Sequence, residues 1–184
     1  MNILVTGAAG YIGSVVTERL IEQGHRVIAL DSLLHGHRAA VHPAARFLEG
    51  DLLDRDWLHD ALRRAEVDAV VHMAAEALID ESVRDPGRFF RVNVTGGLNL
   101  LDAMVSAGVR RIIFSSTAAV YGEPAAIPIR EDAPLQPVNA YGESKLMFET
   151  CLRWYHRAYG LCTVAFRYFN AAGATAARGE SRPH

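Results

Sequence analysis

Three glycines between an apolar run and a helical pattern constrain the fold of this chain more than any other feature. The run Ile3 to Val5 is typical of a buried parallel strand, and it leads into Gly7-x-x-Gly10-x-x-Gly13. Gly7 allows a sharp turn, Gly10 lets the backbone approach a pyrophosphate without a Cβ in the way, and Gly13 lets the helix pack closely on the sheet. The helix N-terminus then directs free N–H groups at the phosphates. The pattern predicts a strand, turn and helix that bind a dinucleotide.

A second apolar run, Arg26 to Leu30, ends in Asp31, eighteen residues after Gly13. A carboxylate at this place in a dinucleotide-binding fold accepts hydrogen bonds from the adenosine ribose hydroxyls. It would also repel a 2′-phosphate, so the pattern favours NAD over NADP. The alternative, an acid that caps a loop, does not explain the pairing of Asp31 with the glycines.

Composition sets the class of protein. The chain has 184 residues, half of them hydrophobic, and a formal net charge of -2, which predicts one well-buried domain and gives no sign of a nucleic-acid or membrane-surface partner. The N-terminal apolar run is too short to span a membrane. Cys151 and Cys162 have neither metal spacing nor a disulfide framework, which favours reduced cysteines and a cytoplasmic location.

Strand and helix patterns alternate along the chain. This alternation predicts the α/β class, with a Rossmann-type doubly wound parallel sheet that has helices on both faces. We predict strands at 3–5, 26–30, 46–50, 68–73, 111–114 and 161–166, and helices at 11–23, 54–65, 82–90, 92–107 and 141–159. The connection 32–45 contains His35, His37 and His42, which we interpret as solvated loop residues because no cluster of cysteines or carboxylates accompanies them.

Several residues follow the strands at their carboxyl ends, where open parallel sheets bind ligands. Asp51 either meets the adenine or caps the helix at 54–65, and the sequence does not decide between the two. Ala74 and Ala75 are small enough for the backbone to approach a cofactor. The segment 115–122 leaves the fifth strand at the same edge, and a loop with four prolines, 123–137, follows it.

Thr117, Tyr141 and Lys145 form a second set of chemically suitable residues. The spacing of four puts Tyr141 and Lys145 on one helix face, so the ammonium can stand near the phenol. Tyrosine has a pKa of about 10, so a tyrosine base near neutral pH needs a shift of roughly 3 units. The lysine cation and an oxidised nicotinamide are credible sources of that shift, and Thr117 would hydrogen-bond the same reacting hydroxyl.

The motifs together resemble the extended short-chain dehydrogenase/reductases and, within them, the UDP-glucose 4-epimerase family. The resemblance covers essentially all of the chain. It is carried by Thr6-Gly-x-x-Gly-x-x-Gly13, Gly50-Asp-Leu52, His72-Met-Ala-Ala75, Glu81-Ser-Val83, Asn93-Val-x-Gly96, Ser115-Ser-Thr117, Val120-Tyr-Gly122, Tyr141-x-x-x-Lys145 and Arg167-Tyr-Phe-Asn170.

The resemblance implies an NAD-dependent epimerase that inverts C4 of a UDP-hexose through a transient 4-keto sugar, with Tyr141 as the base. It also implies positions for the ligands. Cofactor-binding residues would be Gly7, Gly10, Tyr11, Ile12, Gly13, Asp31, Ser32, Asp51, Leu52, Met73, Ala74, Ala75, Asn93, Ser115, Tyr141, Lys145 and Tyr168. Substrate would meet Thr117, Ala119, Tyr141, Phe169 and Asn170. Phe169 as plain core and Asn93 as a helix cap are the alternatives.

The chain departs from its relatives at three places. Sugar-nucleotide dehydratases carry an acid pair after the threonine, but this chain has Ala118 and Ala119, which argues against dehydration. A lysine that reaches the cofactor ribose in many relatives gives way here to Glu76 and Ala77. A phosphate-side Asn-x-x-Asn-Ser loop is replaced by the segment 32–36.

The resemblance also implies a further C-terminal portion that binds the nucleotide and the sugar. We therefore expect residues 1–174 to form the NAD-binding domain and residues 175–184 to begin a truncated substrate region. The alternatives to an epimerase are a non-catalytic NAD-binding module and another sugar-nucleotide activity of the same superfamily. The resemblance also implies a homodimer through the helices at 92–107 and 141–159.

Overall fold

Six parallel strands form one sheet in the computed structural model, which describes residues 1–179. Their order across the sheet is β3-β2-β1-β4-β5-β6. This order is that of a Rossmann fold, with the switch point between β1 and β4. The predicted fold class is therefore confirmed. The strands are β1 (Asn2–Thr6), β2 (Arg26–Asp31), β3 (Arg46–Glu49), β4 (Ala69–His72), β5 (Arg111–Thr117) and β6 (Cys162–Tyr168).

Helices cover the sheet on both faces because apolar side chains alternate along each buried strand. Leu4 and Phe114 point to one face, whose core includes residues of α2, α5 and α6. Val5 and Val27 point to the other face, where partly buried residues of α1 pack. The helices are α1 (Tyr11–Glu22), α2 (Arg55–Ala65), α3 (Ile79–Arg84), α4 (Pro86–Phe89), α5 (Gly96–Ser106) and α6 (Ala140–Tyr159). Short 3₁₀ turns lie at Arg38–Ala40 and Ala118–Tyr121.

The helix predicted at 82–90 is wrong as a single element. The chain forms α3, breaks at Asp85 and restarts at Pro86, which cannot continue a helix because its ring blocks the hydrogen bond to the preceding turn. The Asp85 carboxylate accepts the backbone N–H of Arg88 and so caps α4. A π-helical segment, Phe90–Thr95, then joins α4 to α5.

Two strands, β5 and β6, extend further than predicted. β5 continues through Ser115–Thr117, so this polar segment lies within the sheet and not beyond it. The reason is β6, which supplies the partner strand as far as the pair Thr117 and Tyr168.

The helix cap predicted as one alternative for Asp51 is made by Asp54, whose carboxylate accepts the N–H of Trp57. Asp51 instead accepts the N–H of Leu53 in a tight turn. The side chain of Asp51 therefore stays at the carboxyl edge of the sheet, ahead of α2.

Candidate dinucleotide site and active site

The glycine-rich turn joins β1 to α1 and is held by close backbone contacts. Gly7 has a left-handed φ of +68°, and a Cβ there would lie 2.7 Å from the Ala74 nitrogen. A Cβ on Gly13 would lie 2.0 Å from the Gly7 carbonyl oxygen, so the helix packs directly on the turn. Gly10 is different, because a Cβ there would meet only that oxygen, at 3.4 Å. The space in front of Gly10 is thus free of the chain's own atoms.

The first turn of α1 directs unpaired donors into that space. Among the described residues, the backbone N–H groups of Tyr11, Ile12 and Gly13 have no hydrogen-bond acceptor, and the helix begins at Gly10 without a side-chain cap. The first turn also contains no acidic residue. Three free N–H groups at a helix N-terminus favour an anion. The turn therefore fits the pyrophosphate of a dinucleotide.

Asp31 lies at the carboxyl end of β2, beside the glycine-rich turn. One carboxylate oxygen accepts the N–H of Ala9 at 2.9 Å and the other accepts the N–H of Leu33 at 2.8 Å. Each oxygen keeps lone pairs for a further donor, as two ribose hydroxyls would supply. The carboxylate therefore both orders the turn and remains able to accept a ligand's hydroxyl groups.

A cavity of about 360 Å³ lies at the carboxyl ends of β2 and β3. It is lined by Ser32, Leu34, Glu49, Gly50 and Asp51. Two predicted cofactor residues, Ser32 and Asp51, thus share one cavity on the β2 side of the switch point. Leu52 differs, because its side chain belongs to the core.

The segment Met73 to Ala75 follows β4 and presents partly exposed small residues and backbone. A buried network fixes it, because the Thr6 hydroxyl lies 2.7 Å from His72 Nδ1 and accepts the N–H of Ala74. Burial, and to a lesser degree the charge of Lys145, lowers the pKa of His72 to about 3. His72 is therefore neutral and structural. Apart from the place of His72 in a motif, nothing in the sequence indicates this role.

Asn93 is buried in the π-helical segment and does not cap a helix. Its side chain accepts the N–H of Glu76 at 2.8 Å and donates to the Glu76 carbonyl at 3.0 Å and to the Ser144 hydroxyl at 2.9 Å. The amide thus joins the segment after β4 to α6. Its contact with a cofactor stays a prediction.

Thr117, Tyr141 and Lys145 come together at the carboxyl end of β5. Asn139 caps α6 by accepting the N–H of Gly142, and this fixes the first turn, which contains Tyr141. Lys145 is buried, and its Nζ donates to the Ser115 carbonyl at 2.9 Å and lies 5.8 Å from the Tyr141 ring centroid. The three side chains share one site, but the ammonium is bonded to the backbone and not to the phenol.

The pKa values of this site reflect its burial. Burial raises the pKa of Tyr141 above 10, and the neighbouring Thr117 hydroxyl opposes that shift. Burial lowers the pKa of Lys145 from 10.5 to about 7. In the chain alone, Tyr141 is therefore protonated at neutral pH. Ionisation of the phenol needs a further positive charge, which an oxidised nicotinamide would supply.

A buried ion pair behind the site was not anticipated from the sequence. Arg167 on β6 donates to both carboxylate oxygens of Glu149 on α6, at 3.1 and 2.8 Å. Ser116 on β5 donates to the same carboxylate, and Arg167 also reaches the Tyr121 hydroxyl at 2.8 Å. The signal that could have found it is the spacing of Lys145 and Glu149, which puts both on one helix face.

The remaining predicted residues, Tyr168 for the cofactor and Ala119, Phe169 and Asn170 for the substrate, lie at the carboxyl ends of β5 and β6. Tyr168 pairs with Thr117 across the strands and is partly buried, which raises the pKa of its phenol. Phe169 is 65% exposed, so its alternative interpretation as core is wrong. Asn170 is exposed and Ala119 is partly buried in the 3₁₀ turn after β5. Of these residues, Tyr168 is the one whose pairing with Thr117 connects it to the candidate site.

The three loop histidines do not converge. The ring of His35 contacts Glu76 and Arg88, and His42 accepts the N–H of Ala44. Within residues 1–179, no group of three or more His, Cys, Asp or Glu side chains is arranged to hold a metal ion. None of the helices in this described part combines the length and apolarity needed to cross a membrane.

The fold and the site define a Rossmann-type dinucleotide-binding protein with a Thr, Tyr and Lys set at the carboxyl edge of its sheet. Residues 3–184 match the model of the NAD dependent epimerase/dehydratase family. The chain belongs to this family, and the resemblance predicted from its motifs is confirmed.

The names of individual relatives give a more specific activity than the family description does. The chain is 54% identical over 176 residues to the UDP-glucose 4-epimerase of Streptococcus mutans, a match that covers 95% of this chain and 53% of that protein. It is similar to the crystal structure of UDP-glucose 4-epimerase from Brucella ovis in complex with NAD, at 44% identity and a TM-score of 0.92, over 95% of this chain and 53% of that one. The Bifidobacterium longum enzyme, in complex with NAD+ and UDP, matches at 34% identity and a TM-score of 0.94, over 98% and 57%. The chain spans about half the length of these relatives.

Proposed function

We propose that the protein that carries this chain is an NAD-dependent epimerase that inverts C4 of a UDP-hexose, interconverting UDP-glucose and UDP-galactose. One observation carries the proposal: Thr117, Tyr141 and Lys145 converge at the same sheet edge as a glycine-rich turn with free N–H donors. The three relatives described above are named UDP-glucose 4-epimerases, one of them solved with NAD and another with NAD+ and UDP.

The cofactor proposed is NAD. The N–H groups of Tyr11, Ile12 and Gly13 would bind the pyrophosphate, and Asp31 would accept from the adenosine ribose. The adenine end is assigned to the cavity that Ser32 and Asp51 line. The partly exposed residues Met73, Ala74 and Ala75, with Ser115 and Tyr168, would border the nicotinamide half. Bound NAD supplies an acceptor and donor of hydride at the sugar C4.

Tyr141 is proposed to take the proton from the sugar 4-hydroxyl and to return it after the ketone has turned over. Thr117 would hydrogen-bond the same hydroxyl group and orient it. The amino group of Lys145 lies beside the Tyr141 ring, and its hydrogen bond to the Ser115 carbonyl fixes its position. Phe169, Asn170 and Ala119 are proposed to contact the sugar nucleotide.

Two alanines argue against the dehydratase branch of the family. Elimination of water needs an additional acid and base beside the reacting sugar. The residues after Thr117 are Ala118 and Ala119, which form a 3₁₀ turn and offer no titratable group. An epimerase needs neither group, because it only removes and returns one proton and one hydride.

A second candidate is a module that binds NAD without catalysis. The raised pKa of Tyr141 favours it, because a protonated phenol cannot act as a base. The two candidates differ in turnover and not in cofactor binding, so the epimerase assay separates them.

The test is the interconversion of UDP-galactose and UDP-glucose by the protein that carries this chain. Tyr141→Phe should abolish turnover and retain NAD binding, because it removes one hydroxyl from a ring that stays packed against Phe89. Tyr159→Phe is the matched control, since this tyrosine is exposed at the far end of α6. Unchanged turnover in Tyr141→Phe would contradict the proposed mechanism.

Three further assignments complete the proposal. Residues 1–174 are assigned to the NAD-binding domain, and a C-terminal substrate region is assigned to begin at 175. Free Cys151 and Cys162 support a cytoplasmic, reducing location. A role in galactose metabolism is proposed from the resemblance, and the net charge of -2 supports the proposal that the protein has no nucleic-acid or membrane partner. A homodimer through α5 and α6 is proposed from the resemblance.

A further inference from the structure

We propose that His35, Glu76 and Arg88 fasten a strap across the mouth of the NAD site and thereby control how fast the cofactor enters and leaves. The strap is the segment Ser32–His37. This inference rests on the NAD binding proposed above, and it concerns rates of binding and not the epimerase reaction.

The strap lies directly against the glycine-rich turn. It begins with the N–H of Leu33 donating to Asp31, and its last residue, His37, donates its N–H to the Ala9 carbonyl at 3.0 Å. Between them, Gly36 approaches so closely that a Cβ would lie 2.8 Å from the Ala9 Cβ and 2.9 Å from the Asp31 carboxylate. One end of the strap is therefore fixed to Asp31 at the end of β2, and the other end is fixed to the turn that would hold the pyrophosphate.

The middle of the strap is fastened through one side chain. His35 Nε2 lies 3.2 Å from Glu76 Oε1 and 2.7 Å from Arg88 Nη2, and Arg88 Nη2 lies 2.7 Å from the same Glu76 oxygen. The Glu76 side chain is 5% exposed, and its backbone is held on both sides by Asn93. The carboxylate is a rigid anchor, because burial of a charge is tolerated only with partners. His35, whose side chain is 42% exposed, is the releasable part.

The order of strands in the sheet determines where this contact lies relative to the proposed NAD site. β1 lies between β2 and β4, so a segment that starts after β2 and reaches Glu76 after β4 must cross the carboxyl end of β1. The free N–H groups of α1 open at that same end. The strap also joins two of the places where the sequence departs from its relatives, the 32–36 loop and Glu76.

The experiment measures association and dissociation rates of radiolabelled NAD with the protein that carries this chain, using excess unlabelled NAD as the chase. His35→Ala should raise both rates by about fivefold, the effect of losing one partly exposed charge-assisted hydrogen bond. Glu76→Gln should raise both rates by a smaller factor, and the double variant should not exceed His35→Ala by much, since both substitutions act on one fastening. His37→Ala is the matched control, because no hydrogen bond of its side chain is found among the described residues.

Rates and unfolding temperature together distinguish a strap from simple structural damage. A strap predicts faster entry and faster exit of NAD, with the unfolding temperature of the cofactor-free protein lowered by no more than about 4 °C. Damage to the fold would lower that temperature further and slow entry. Rates for His35→Ala equal to those of the unsubstituted protein overturn the strap alone. Failure of the unsubstituted protein to bind NAD overturns the cofactor proposal and the strap together.

Discussion

Gly10 and Gly13 belong to one sequence motif, but they have different physical roles. A Cβ at Gly13 would overlap the Gly7 carbonyl, whereas Gly10 has an ordinary φ of -85° and room for a methyl group. We expect Gly10→Ala to change the free energy of unfolding by less than about 0.5 kcal/mol. Its NAD affinity should fall by roughly tenfold or more, a loss of about 1.4 kcal/mol, because the methyl group occupies the pyrophosphate's space.

The matched comparison is Gly13→Ala, which should destabilise the cofactor-free protein by about 2 kcal/mol because packed backbone must move. Chemical denaturation and titration calorimetry measure the two quantities separately. A Gly10→Ala variant that binds NAD as tightly as the unsubstituted protein would show that the space in front of Gly10 is not the pyrophosphate site.

For individual residues, spacing in the sequence predicts which side chains lie close together but not which hydrogen bonds they make. The interval of four correctly puts Tyr141 and Lys145 on one face of α6. The bond from Lys145 to the Ser115 carbonyl could not be foreseen, because it depends on the depth at which the helix packs on β5. The direction of the Tyr141 pKa shift could not be foreseen either, since burial outweighs the neighbouring hydroxyl of Thr117.

The position of α6 against β5 and β6 depends on the Glu149–Arg167 pair. Arg167→Leu would leave the Glu149 carboxylate, 6% exposed, without its cation. We expect the free energy of unfolding to fall by about 3 kcal/mol, because a single charge remains in a buried site. Arg130→Leu is the control, since Arg130 and its partner Asp132 are 80% and 73% exposed and such pairs contribute about 0.5 kcal/mol or less. Equal losses in the two variants, measured by denaturation, would refute a special role for the buried pair.

Strands and helices were predicted correctly from the sequence where a single pattern, such as a run of apolar residues, determines the structure. Apolar runs bounded by glycine or acid identified all six strands, because both faces of the inner strands are buried. Prediction failed where two signals compete. Pro86 divides a segment that is otherwise helical in pattern, and the π-helical segment after it contains Asn93, whose side chain accepts the N–H of Glu76, a residue outside the helical pattern. The polar end of β5 lacks an apolar pattern and is a strand only because β6 pairs with it.

Across the whole molecule, the candidate site is the carboxyl edge of the sheet, to which nearly every strand contributes. That much follows from sequence, because parallel strands end at a common edge and the residues after each strand can be read directly. The contacts between segments far apart in the chain do not follow. His35 and Glu76 are 41 residues apart, and only the order of strands brings them together across β1.

The exposed face of α6 is the surface through which we propose that two copies of the protein pair. Phe148 and Leu152 of this helix are buried in the core, whereas Met147 and Trp154, seven residues apart and so on one face, are 41% and 60% exposed. Large exposed side chains at this spacing suit a helix that packs against a second copy. Trp154→Glu should weaken the proposed dimer by about thirtyfold or more, because a buried tryptophan is a typical energetic centre of an interface.

Sedimentation over a range of micromolar concentrations measures this effect. Val138→Glu is the matched control, since Val138 is 69% exposed but lies in the loop before α6. It places the same charge on an exposed apolar residue outside the proposed interface, so it should leave the dimer intact. If Trp154→Glu leaves the dimer intact, the interface does not include this face of α6. If the unsubstituted protein sediments as a monomer, the proposal of a dimer is wrong.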